Sequence, residues 1–132
     1  MITEDYVSFE TAKLLKEKGF DDEYTNAFYD KTENLYFIDL LSDLSNHQNN
    51  YTDIAASTLY VAMKWLRDEK HYYIQVMLDG WACGDHSGYY VVIQKTDSDF
   101  EMMLQDAVDE VFYQTYEEAC EAAIKYCLEN FI

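Results

Sequence analysis

Proline is absent from this chain of 132 residues, and glycine occurs only four times, at Gly19, Gly80, Gly84 and Gly88. Pro-rich and Gly/Ser-rich linkers are therefore excluded. No shift in composition marks a boundary, so one domain over residues 1–132 is expected, a normal size for one. Positive charge is scarce: 9 Lys and Arg against 26 Asp and Glu leave a net charge of −17. A nucleic-acid backbone is gripped by clustered cations, so direct DNA or RNA binding is excluded on charge. An anionic membrane surface is disfavoured for the same reason. No apolar run reaches the ~20 residues of a membrane span. The opening MITEDYVSFE lacks the basic start and apolar centre of a secretory signal, so a cytoplasmic location is expected. Three cysteines, an odd number, fit reduced thiols in that compartment. No internal repeat is found.

What is present is a large apolar fraction, 49%, enough for a self-sufficient core despite the charge. Ser8 is placed to cap a helix starting at Phe9, with Val7 and Ala12 as a staple and Gly19 as the stop. AFYDKTENLYFIDLL, 27–41, reads as two extended stretches around a polar turn, and Leu35 to Leu41 reads as an interior strand because it is apolar on both faces except at Asp39. Residues 42–53 form a polar loop. STLYVAMKWLRDEK, 57–70, is a second helix whose Leu59, Ala62, Met63 and Leu66 make one stripe. HYYIQVMLDG, 71–80, and YYVVIQKT, 89–96, alternate and pair as a hairpin, with the reversal at Asp79-Gly80 or at Gly84-Asp85. Residues 97–114 carry both periods. Ser98 with Glu101 fits a capping box, which favours a helix over 99–109 and a strand over 111–114; a second hairpin is the alternative. Thr115 with Glu118 makes another capping box and opens the last helix. The sum is an α+β fold: three or four helices on a mainly antiparallel sheet built from 27–41, 72–79, 88–95 and 111–114.

The chemistry-bearing residues fall into a few separate groups. Cys120 and Cys127 are two turns apart on a helix, about 10 Å of rise, too far for a disulfide. They lie on the apolar face among alanines, where cysteine acts as a small hydrophobe. Cys83, Asp85 and His86 are the one cluster of metal-ligand types, but a zinc site wants about four good ligands and only two are present. No metal or cofactor is expected. Asp85, His86 and Ser87 hold the residue types of a hydrolytic triad in direct succession, which is not how a triad assembles in space. Asp97 to Glu101 starts like a calcium loop, but Met102 and Val108 occupy the positions that need Gly and Glu. Gly80, Gly84 and Gly88 lack the G-K-[ST] ending of a phosphate cradle. No catalytic residue is assigned, and an enzyme is not expected.

Two features remain. Tyrosine supplies 13 of the 22 aromatic residues (13 Tyr, 7 Phe, 2 Trp), and tyrosine is enriched in interfaces. Tyr24, Tyr29, Tyr51 and Tyr113 lie near turns or strand ends, where exposure is expected. The acids concentrate at the C-terminal end, where residues 97–132 hold ten acids and one lysine, a net −9. Asp106, Asp109, Glu110, Glu117, Glu118 and Glu121, with Tyr51 and Tyr113, are the candidate interaction surface. It fits a protein partner, a basic one in particular. The reading is a non-catalytic interaction module; the alternatives are a DNA-mimicking inhibitor of a nuclease or defence protein, and a metal protein or enzyme using the 83–86 loop.

Three segments also carry a resemblance: YVSFETAKLLKEKGF (6–20), LYVAMKWLRDE (59–69) and TYEEACEAAIKYCLEN (115–130). They resemble a group of small uncharacterised proteins of Bacteroides-type gut bacteria and their prophages. The resemblance implies a phage or mobile-element setting with the three helices as a shared scaffold. It implies no activity and no residue roles.

Overall fold

A computed structural model describes residues 3–38, 53–80, 86–108 and 112–132, with the backbone alone for 80, 86 and 87. The chain forms two compact units, Met1–Thr58 and Leu59–Ile132. The class is α+β, with four helices and two antiparallel three-stranded sheets among the described residues.

In the first unit, helix α1 (Phe9–Glu17) begins where the Ser8 hydroxyl accepts a hydrogen bond from the Thr11 N–H at 3.2 Å. That cap satisfies one of the orphan donors at a helix start and contributes about 1 kcal/mol. The helix ends at Glu17 with Lys18 as its C-cap, and Gly19 follows with a φ of 107°, the backbone conformation a side chain would oppose. Val7, Ala12 and Leu15 are buried on its inner side. The sheet runs in the order β2-β1-β3, with β1 (Ala27–Tyr29) flanked by β2 (Leu35–Phe37) and β3 (Ile54–Ala55). The turn between β1 and β2 closes on Asp30, whose carboxylate accepts from the Thr32 hydroxyl at 2.6 Å and from the Thr32 and Asn34 N–H groups. The Thr32 hydroxyl bond is the main reason that this carboxyl is held below its usual range. The Tyr29 hydroxyl ties the sheet to the helix entry by donating to the Val7 carbonyl at 2.7 Å.

The second unit opens with α2 (Leu59–Lys70). The hairpin β4 (Tyr72–Gly80) and β5 (His86–Lys95) follows, then β6 (Glu101–Met103), α3 (Leu104–Val108) and α4 (Tyr116–Asn130). The sheet order is β4-β5-β6. Ile74 faces Ile93 and Val76 faces Val91 across the hairpin, and Ile74, Val91 and Ile93 are buried. Helix α4 packs against β4, β5 and α2. Its inner side consists of Ala119, Cys120, Ala123, Ile124, Cys127 and Leu128, all fully buried, and the small residues allow close approach to the sheet. Thr115 caps it by accepting the Glu118 N–H at 3.1 Å.

Five expectations need correction. The strands do not share one sheet: β1 and β2 pair with β3, whereas β4 and β5 pair with β6. Among the described residues β2 is an edge strand, with Leu35 and Phe37 exposed, so apolar residues on both faces did not mark an interior position. Asp79 and Gly80 are paired within the hairpin, opposite Gly88 and His86, so they are not its reversal; Gly84-Asp85 lies outside the described residues. The helix over 99–109 is replaced by β6 and the five-residue α3, because the Ser98 hydroxyl accepts the Phe100 N–H in a turn and Glu101 enters the sheet opposite Gln94. The strand over 111–114 shrinks to one bridge, Tyr113 to Tyr89.

One buried polar residue explains how β5 is completed. Strand β6 is only three residues long, and beyond it the Gln105 side chain acts as a substitute strand. Its Oε1 accepts the Val91 N–H at 3.1 Å, and its Nε2 donates to the Tyr89 carbonyl at 3.4 Å. Tyr113 then exchanges two backbone hydrogen bonds with Tyr89, at 2.8 and 2.9 Å. This side of β5 therefore has a partner from Lys95 back to Tyr89.

Candidate interaction surface

The cysteines on α4 have no path to outside chemistry. Both are fully buried, and burial pushes the Cys120 thiol up to about 11 and the Cys127 thiol up to about 12. A reactive cysteine needs the reverse, a lowered pKa and partial exposure. Cys83 and Asp85 lie outside the described residues, and His86 is described by its backbone alone, as the first residue of β5. Among the described residues no group of three His, Cys, Asp or Glu side chains is placed to hold a metal ion. Also among them, no helix is long and apolar enough to cross a membrane.

The acidic candidates divide. Asp106 on α3 and Glu117 and Glu118 in the first turn of α4 are exposed. The two glutamates sit where the helix dipole favours negative charge. Glu121 is half-buried, with one carboxylate oxygen enclosed, so it does not join them at the surface. Asp109, Glu110 and Tyr51 lie outside the described residues. Tyr113 is half-buried and held by its backbone to Tyr89. Of the other tyrosines expected at turns, Tyr24 is 93% exposed, whereas Tyr29 is half-buried with its hydroxyl bonded.

The outer face of the second sheet lies outside the candidate surface expected from the sequence. The residues of β4 that alternate with the buried set are Tyr73, Gln75 and Met77. Their cross-strand partners on β5 are Gln94, Val92 and Tyr90, and Met103 of β6 lies opposite Val92. Tyr73, Met77 and Met103 are exposed, and Gln75, Tyr90, Val92 and Gln94 are half-buried. A polar line crosses this face: the Gln75 amide donates to Gln94, and Gln94 Nε2 donates to Glu101 Oε2 at 3.3 Å. The Phe112 ring meets Tyr90 edge-on, with centroids 6.5 Å apart. Apolar and aromatic side chains thus surround a short hydrogen-bonded line on this face. The strict alternation of 72–79 was the available signal, since it leaves a second face to be accounted for.

Compared with protein-family models, with curated proteins and with solved structures, the chain matches none.

Proposed function

We propose that this protein is a non-catalytic, cytoplasmic protein-interaction module of phage or prophage origin. The outer face of the second sheet is the observation that carries this reading: Tyr73, Met77 and Met103 are exposed there, and Tyr and Met are the side chains interfaces favour. The exposed acids Asp106, Glu117 and Glu118 belong to the same unit, and the net charge of −17 selects a basic partner and steers it in. The resemblance of segments 6–20, 59–69 and 115–130 supports the phage setting. A DNA-mimicking inhibitor is the second reading, favoured by the paired exposed carboxylates of Glu117 and Glu118.

Two variants separate these readings in a pull-down read by mass spectrometry. Tyr73→Asp with Met77→Asp alters the face and leaves the acids in place. Glu117→Lys with Glu118→Lys reverses the acids and leaves the face in place. The interaction module predicts a basic protein that is lost from the face variant and weakened by salt. The mimic predicts a nucleic-acid-binding protein lost from the charge-reversal variant alone. Capture unaffected by either pair of changes would contradict both.

A further inference from the structure

The two long sides of the second sheet are treated differently. The β5 side is closed by β6, Gln105 and Tyr113, as described above. The β4 side has no strand beyond it among the described residues. Hydrogen bonds fix which groups face that open side. Lys95 N donates to Phe100 O, and Tyr89 bonds Tyr113, so odd-numbered residues of β5 turn their backbone away from β4. Even-numbered ones turn toward it, and their partners on β4 are Tyr73, Gln75 and Met77. Tyr72, Ile74, Val76 and Leu78 therefore present their N–H and C=O groups outward. Such an edge is a template for another strand, and proteins usually guard it with lysine, proline or a short length. Strand β4 is nine residues long and has none of these guards; its one charged residue, Asp79, is at its end.

We propose that this edge pairs antiparallel with the same edge of a second copy, about a two-fold axis at Gln75. The register follows from the sequence. With Gln75 opposite itself, Tyr73 faces Met77, Ile74 faces Val76 and Tyr72 faces Leu78. Apolar residues meet apolar ones on both faces. Shifting the register by two residues breaks this match: one direction sets Tyr73 against Asp79, the other leaves Leu78 with no strand residue opposite it, because β4 begins at Tyr72. The outward groups of Ile74 and Val76 exchange backbone hydrogen bonds in the proposed register. Gln75 then forms a non-hydrogen-bonded pair with its copy. The Gln75 amide has an unused oxygen and N–H for that copy after its bond to Gln94. Both outer sheet faces end on the same side, joined into one surface. This inference stands on the edge and its register, independently of the proposed partner.

Two measurements on the full chain test it. Light scattering of the wild type is expected to give twice the chain mass, and Gln75→Lys, which sets two ammonium groups on the axis, is expected to return it to the monomer. In a Cys83→Ser background, Gln75→Cys is expected to cross-link to itself under mild oxidation. A non-hydrogen-bonded pair brings Cα atoms to about 4.5 Å, within disulfide reach. Tyr73→Cys alone is expected to stay unlinked, whereas mixing it with Met77→Cys is expected to give the mixed dimer. A monomeric wild type at high concentration overturns the proposal, and so does cross-linking of Tyr73→Cys to itself as readily as Gln75→Cys.

Discussion

Replacing Gly88 with alanine is expected to destabilise the protein by about 2–4 kcal/mol, from backbone strain and steric overlap acting together. Gly88 sits in β5 at φ 127°, a conformation that L side chains rarely adopt. Space is short as well. A Cβ at this position would overlap the carbonyl oxygen of Tyr113, and it would lie 3.2 Å from the Phe112 Cβ. The oxygen belongs to the backbone and already accepts the Tyr89 N–H at 2.8 Å, so it cannot swing aside cheaply. Glycine here lets residues 112–113 lie directly on β5 and complete the side that β6 leaves short. Urea denaturation measures the effect as a lower midpoint. A midpoint unchanged within error would mean that the 112–113 segment does not lie on β5.

Leu66→Ala is expected to cost about 2–5 kcal/mol, the range for deleting a buried leucine side chain and leaving a cavity. Leu66 is fully buried in α2, on the same stripe as Ala62 and Leu59. Tyr60, one residue from that stripe, is 65% exposed. Tyr60→Ala is therefore expected to change stability by no more than about 0.5 kcal/mol, as surface substitutions do. The pair makes a controlled comparison on one helix. Equal losses for the two would contradict the assigned inner face.

The elements that could be read from the sequence were those determined by neighbouring residues. Ser8 and Thr115 cap their helices because the hydroxyl and the N–H it accepts are three residues apart. The β4–β5 hairpin was legible because Ile74 and Val76, and Val91 and Ile93, recur at every second position of two extended runs. What failed depended on distant partners. Nothing local says that β1 pairs with β3 rather than joining β4 and β5. In 99–109, helix and strand periods coexist, and the choice falls to pairing of Glu101–Met103 with β5 and to the Gln105 bonds with β5. Glu121 looked like its neighbours Glu117 and Glu118, yet it follows fully buried Cys120 around the helix and is itself half-buried. The acidic part of the surface was thus partly visible in composition. The bare sheet face was not, because its tyrosine and methionine are residues that a core also uses.

Among the described residues, the α4 thiols are packed inside the body of the protein, with no group of three His, Cys, Asp or Glu side chains placed to hold a metal ion. The α4 thiols test this most directly. With burial raising both pKa values, the neutral thiols are favoured in the folded state. Their contribution to stability is full below the ordinary thiol value of 9.0 and is lost as pH rises through about 11 to 12. Labelling with an alkylating reagent at pH 8, followed by peptide mass spectrometry, reads each cysteine separately. Cys120 and Cys127 are expected to stay unmodified in the folded protein and to react fully once it is unfolded in urea. Rapid labelling of either one in the folded protein would contradict the account.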